Sequence, residues 1–188
     1  MERLIKARPN GKYQPIVPPG VMRFLDFARL VLPKGERHSG STASREYVLD
    51  FFSGSASIEL QRAGGQREVL ANVGGRPDVF SGPPVMVYLP PQCSYEVVAA
   101  TERLEVGVFS APSEAAAPPT LLEGPRVVAK QVGRANWQRT VYSALAESVP
   151  AERLLAGETL NPPGNWSSYP PHKHDRPDPP QEAVLEEI

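Results

Sequence analysis

Apolar and polar positions alternate along most of this chain with a period of two, the pattern of half-buried strands. In residues 22–32, Phe24, Asp26, Ala28, Leu30 and Leu32 share one face, and Leu25, Phe27, Arg29 and Val31 share the other. Both faces are largely apolar, so a strand buried on most of both sides is expected. Pro33-Lys-Gly35 marks a turn. Residues 46–52 and 56–60 flank Ser53-Gly-Ser55 and predict a hairpin. Gly74-Gly-Arg-Pro77 turns the chain into Val79 and Phe80. Further strands are expected at 85–89, 95–100 and 104–109, the first two split by Pro90-Pro-Gln-Cys-Ser94. Strand character restarts at 127–130 and 137–142, a short helical turn is expected within 147–155, and 157–160 leads out of it. Strands at ~8–12-residue spacing with turns between them predict an all-β sandwich or jelly roll.

Two stretches interrupt this pattern. Residues 1–20 are rich in Pro and Gly and predict an arm over the surface. Residues 113–126 are poor in β-formers and predict a linker, so 21–112 and 127–188 are expected to be separate units. The 22 prolines and 15 glycines match many short strands joined by tight turns. With 20 Lys and Arg against 21 Asp and Glu, the formal net charge is −1. That leaves no basic surplus for phosphates, so nucleic acid is not an expected partner. No apolar run approaches the ~20 residues that span a bilayer, and residues 1–8 lack a signal-peptide core. The lone Cys93 excludes an internal disulfide, reads as a buried small apolar residue, and fits a cytoplasmic protein.

The candidate chemistry lies in Asn161-Pro-Pro-Gly-Asn-Trp-Ser-Ser-Tyr-Pro-Pro-His-Lys-His-Asp175, which holds two of the three histidines. On an extended strand, His172 and His174 would point to one face, where neutral imidazoles can share one divalent metal. Such a pair taken alone is a weak signal. Pro170 and Pro171 stiffen the approach, Trp166 and Tyr169 could wall a pocket, and Glu186 or Glu187 could add a carboxylate oxygen.

This segment resembles the signature of the 5-deoxy-glucuronate isomerase family of myo-inositol catabolism, which is related to 5-keto-4-deoxyuronate isomerase. Residues 75–90, Gly-Arg-Pro-Asp-Val-Phe-Ser-Gly-Pro-Pro-Val-Met-Val-Tyr-Leu-Pro, resemble the same family. The resemblance covers most of the chain and implies a bicupin, two jelly-roll β-barrels in one chain. It makes 21–112 the first barrel and 127–188 the start of the second. Cupin barrels share a Gly, His-x-His, Glu, Gly motif and a later motif with Pro-x-Gly, His and Asn. In the first half Glu46 and Gly54 fall near the Glu and closing Gly, but no His-x-His precedes them. Gln92 and Tyr95 stand where the second motif has Gly and His, and His38 stands alone in a polar run. The first barrel is therefore expected to hold no metal, with His38 a solvated loop residue and Glu46 paired to Arg45 or Arg103. In the second half Gly164, His172 and His174 match the start of the first motif, and the resemblance places Glu187 at the carboxylate ligand. Glu186 remains the competing choice, and 175–182 reads as an inserted loop.

The resemblance implies an aldose–ketose isomerase that converts 5-deoxy-D-glucuronate to 2-deoxy-5-keto-D-gluconate. His172, His174 and Glu187 would hold a divalent metal, with zinc expected ahead of Mn, Fe, Co or Ni. Arg139, Tyr169 and Asp175 are candidates for contacts to a sugar acid. Lys173 should point away from the metal, and no residue declares itself as the catalytic base. No counterpart of the second motif stands before Ile188. A partial second barrel, weak metal retention, little activity and self-association into a dimer or larger are the corresponding expectations. The alternatives are a non-catalytic sugar-acid-binding or assembly module, and a metal-dependent oxygenase. The Trp-Ser-Ser-Tyr-Pro-Pro stretch argues against the oxygenase by resemblance.

Overall fold

Every second residue of each core strand is apolar, and the fold uses this to build two antiparallel sheets around one interior. The structure, a computed structural model, describes residue 6 and residues 12–146, 149–168 and 174–188. The first sheet has the order β1-β2-β9-β4-β7-β10. Its strands are β1 (Tyr13–Val17), β2 (Asp26–Pro33), β4 (Arg45–Ser53), β7 (Met86–Leu89), β9 (Arg103–Pro112) and β10 (Thr120–Leu122). The second sheet, β3-β8-β5-β6, comprises β3 (Arg37–Ser41), β5 (Ser55–Arg62), β6 (Arg67–Gly74) and β8 (Cys93–Ala99). Leu30, Leu49, Phe51 and Val106 from the first sheet meet Ile58, Leu60 and Val97 from the second in a single buried core. Cys93 lies in that core as a free thiol.

The opposite face of the six-stranded sheet is buried as well, which is why its strands are apolar on both sides. Val48, Met86, Tyr88 and Leu122 project from it into a second core. The other side of this core is Ala144, Leu145, Val149 and Leu154. Ala144 and Leu145 belong to a third sheet of β11 (Val128–Val132), β12 (Arg139–Leu145) and β13 (Ala156–Leu160), in the order β11-β12-β13. No helix among the described residues is long and apolar enough to cross a membrane.

Several sequence expectations are corrected here. Residues 46–52 and 56–60 are strands, but they form no hairpin: β4 pairs with β7 and β9, whereas β5 pairs with β6 and β8. Gly54 between them is a corner at which the chain changes sheet. Its φ is +77°, and a Cβ there would lie 2.3 Å from the Arg103 carbonyl oxygen. Only glycine combines that backbone with that approach at no steric cost. The expected surface arm contains β1, which pairs with β2, and the expected linker contains β10, which pairs with β7. His38 is not in a solvated loop. It sits on β3, stacked on Tyr13 with ring centroids 4.9 Å apart, and burial lowers its pKa. The described residues of 149–155 form no helical turn.

Glu46 does not pair with Arg45 or Arg103. Arg45 bonds Asp26 at 2.6 Å and Arg103 bonds Glu105 at 2.9 Å. Glu46 is fully buried and accepts from the backbone N–H groups of Glu152, Arg153 and Leu154 at 3.0, 2.6 and 2.8 Å. The Tyr88 hydroxyl donates to it as well, at 3.0 Å. Burial, and then the Glu46 charge, push the Tyr88 phenol up. A matching contact runs the other way: Glu186 accepts from the backbone N–H groups of Arg23, Phe24 and Leu25 at 2.8, 2.8 and 2.9 Å. Partial burial opposes the Glu186 charge, and the three N–H groups outweigh it, holding the carboxyl below its ordinary range. Each half of the molecule thus supplies a carboxylate that gathers three successive N–H groups of the other half.

Candidate functional site

Strand β13 delivers the His-containing stretch. It runs antiparallel to β12 in a register that sets Thr140 opposite Leu160, so the stretch leaves the sheet beside the start of β12. Gly164, with φ +82°, turns the chain there, and the Asn165 N–H bonds the Pro162 carbonyl at 3.1 Å. The Asn165 side-chain amide then donates to the Gln138 carbonyl, and the Trp166 N–H to the Asn136 carbonyl, both at 2.8 Å. The first part of the stretch is therefore fastened to the segment that opens β12. Arg139 lies on the same end of the sheet, where its guanidinium donates to the Trp137 carbonyl at 3.3 Å. Trp166 is 65% exposed, so it does not wall a closed pocket.

Of the predicted site residues, His172 and Tyr169, with Pro170, Pro171 and Lys173, lie outside the described residues. His174 is described, and its backbone corrects the strand premise. It has φ +75° and belongs to no strand, so it does not continue an extended His-x-His. The reason is the loop that begins there. Glu182 accepts the N–H groups of Asp175 and Arg176 at 2.6 and 2.8 Å, and Asp178 and Glu182 exchange backbone bonds at 2.9 and 2.8 Å. The Leu185 N–H closes back on the His174 carbonyl at 3.2 Å. His174 is half-buried, and its Nδ1 is buried without a hydrogen-bond partner. A buried ring nitrogen left open in this way is what a metal-ligating imidazole presents. Asp175 is exposed.

The two carboxylates that competed for the ligand role are now distinct. Both Glu186 oxygens are taken by backbone N–H groups, so that side chain serves as a tie. Glu187 is exposed and lines a cavity of about 380 Å3 between the six-stranded sheet and residues 153–157 and 185–188. Among the described residues no group of three His, Cys, Asp or Glu side chains converges on one point.

A second charged cluster lies against the same cavity and was not anticipated from the sequence. Asp50 on β4 lines the cavity and is 4% exposed. Arg76, just beyond β6, is buried and bonds Glu158 on β13 with two nitrogens, Nη1 at 2.7 Å and Nη2 more closely. Arg76 also donates to the Phe51 and Gly82 carbonyls at 3.0 and 3.3 Å. Its Nη2 is 3.8 Å from Asp50 Oδ1, an oxygen that no hydrogen bond satisfies. Burial, and then the Glu158 charge, raise the Asp50 pKa to about 8, with Arg76 opposing. One signal pointed here: Asp50 stands alone among apolar residues in Val48-Leu-Asp-Phe-Phe52, and a lone carboxylate in a buried strand is seldom left without a partner.

Known proteins agree with the sequence resemblance. The chain is 39% identical over 165 residues to the 5-deoxy-glucuronate isomerase of Geobacillus thermodenitrificans, covering 87% of this chain and 58% of the relative. Over 193 residues it is 38% identical to the enzyme of the same name from Geobacillus kaustophilus, covering 100% of this chain and 68% of that one. A solved IolB-like protein from Salmonella typhimurium superimposes with a TM-score of 0.85 at 28% identity, over 97% of this chain and 69% of the other. The chain therefore spans about three fifths to two thirds of the length of the relatives it matches. The KduI/IolB family model matches residues 4–188, which takes in both sheets of the sandwich, β13 and the whole His-containing stretch, and on that match the chain belongs to the KduI/IolB family.

Proposed function

We propose that this chain carries the isomerase chemistry of its relatives, interconverting 5-deoxy-D-glucuronate and 2-deoxy-5-keto-D-gluconate. The observation that carries the reading is the 38% identity to a 5-deoxy-glucuronate isomerase across the whole chain, the His-containing stretch included. The sandwich then corresponds to the first of two cupin barrels, and the β11–β13 sheet with its loop to the start of the second. His172, His174 and Glu187 would hold a divalent ion, zinc in the first instance, and the open Nδ1 of His174 supports that assignment. When bound, such an ion supplies Lewis-acid polarisation of a carbonyl oxygen. Arg139, at the end of the sheet beside the stretch, is suited to a substrate carboxylate, and Tyr169 and Asp175 to hydroxyl groups. An aldose–ketose isomerisation moves one carbon-bound proton to the adjacent carbon and one hydroxyl proton between the two oxygens, and needs no redox cofactor. A free buried Cys93 fits a reducing, cytoplasmic setting.

The test is turnover of 5-deoxy-D-glucuronate by the purified chain with added Zn2+ or Mn2+, compared with His172→Ala. Turnover that falls by roughly 100-fold or more in the variant supports the reading. Binding of the sugar acid without turnover, unchanged by His172→Ala, would replace it with a non-catalytic sugar-acid-binding role.

A further inference from the structure

We propose that Asp50, Arg76 and Glu158 form a proton-dependent clamp that holds the three-stranded sheet against the six-stranded one. Arg76 comes from the turn after β6, Asp50 from β4 and Glu158 from β13, so the cluster joins all three sheets. All three side chains are at most 12% exposed, at the edge of the core built by Val48, Met86 and Leu145. One buried guanidinium faces two buried carboxyls. Its two terminal nitrogens are committed to Glu158, which leaves Asp50 Oδ1 at 3.8 Å with no donor. An ionised Asp50 there would be a buried charge whose Oδ1 has no hydrogen bond, facing the Glu158 carboxylate, which is costly at low dielectric. A proton on the Asp50–Glu158 hydrogen-bonded pair removes that charge and supplies the donor the pair lacks.

The neighbouring groups offer no other remedy. Across β7 and β9, Asp50 faces Met86 and Gly107, which carry no charge. Opposite Glu158 on β12 is Tyr142. Asp78 adds a further negative charge near Arg76. Glu46, also on β4, is satisfied by the N–H groups of 152–154. Arg153, Glu186 and Glu187 line the cavity beside Asp50, and Glu186 is tied to residues 23–25. Burial works against the Arg76 charge, and Glu158 more than offsets it, so the cation of the cluster stays charged.

The sign of the pH effect follows from Asp50, whose pKa rises from an ordinary 3.8 to about 8 in the closed molecule. The closed form keeps a proton that an opened, hydrated Asp50 releases. Acid therefore favours the closed form, and that advantage is lost as pH rises through the interval between the two values. Opening of the interface should grow by up to about tenfold per pH unit across that interval and level off above it.

The two tryptophans of the chain, Trp137 and Trp166, both lie with the third sheet, so indole fluorescence follows the unfolding of that sheet. Urea titrations followed by fluorescence from pH 6 to pH 9 should show the midpoint falling up to about pH 8 and then flattening. Asp50→Asn keeps a neutral donor for Glu158 and should abolish the fall, as should Glu158→Gln, which leaves Arg76 a single carboxylate partner. Carboxyl 13C NMR of the unaltered chain gives a second measurement that no folding defect can spoil. One carboxyl resonance should titrate near pH 8. The proposal is overturned if every carboxyl titrates below pH 6, or if Asp50→Asn keeps the full pH dependence.

Discussion

A single carboxylate can organise a segment that has no regular structure of its own, and Glu46 does so for residues 152–154. Four donors converge on its two oxygens: three backbone N–H groups and the Tyr88 hydroxyl. Removing the carboxylate leaves these buried donors without an acceptor, at roughly 1–3 kcal/mol for each that stays dry. Glu46→Ala should therefore destabilise the fold by about 3 kcal/mol or more, with Glu46→Gln milder because an amide oxygen still accepts. Equilibrium urea denaturation of the two variants measures this. A loss below ~1 kcal/mol for the alanine variant would show that water replaces the carboxylate. By the same reasoning Glu46 serves here to join the two halves.

Among the elements, the β4–β5 corner carries the topology. The strands are separated by Gly54 alone, yet they run in different sheets. Any side chain at Gly54 meets the Arg103 carbonyl at 2.3 Å and the Thr101 hydroxyl at 2.4 Å, and must also adopt φ +77°. Gly54→Ala should cost about 2 kcal/mol or more, since neither the backbone conformation nor the fixed carbonyl can relax cheaply. Thermal unfolding is the measurement, and a melting temperature within ~2 °C of the parent would contradict the assignment. Strand pairing explains why the local sequence predicts a hairpin at this corner: a Ser-Gly-Ser between two apolar runs signals a reversal, but not which sheet receives the second strand.

On the scale of the whole molecule, the edge of the third sheet is the feature that meets solvent or a partner. Among the described residues no strand pairs with the outer edge of β11, and Val128 on it is 48% exposed. An open edge with exposed apolar side chains favours pairing with a second copy, most simply across a two-fold axis. Light scattering at rising concentration should show a mass above that of the 20.5 kDa chain, and Val128→Lys should move it toward the monomer. A clean monomer for the parent at high concentration would count against this arrangement.

The sequence by itself determined the all-β class, the approximate place of most strands and the family. Each of these is local: a period of two shows which side of a strand is buried, and a fifteen-residue stretch carries the resemblance. Leu30 stands on an apolar face of its strand in sequence, and Leu49, Ile58, Val97 and Val106 lie within segments expected to be strands. Only the tertiary structure decided what each buried face meets. Leu49 lies opposite Val108, a partner nearly sixty residues away, and no local pattern names it. The carboxylates show the same division. Glu46, Asp50, Glu158 and Glu186 look alike in sequence, but one gathers N–H groups of 152–154, two share a single arginine, and one gathers N–H groups of 23–25. A carboxylate's role is set by the donors that folding brings within ~3 Å of it, and those donors come from distant parts of the chain.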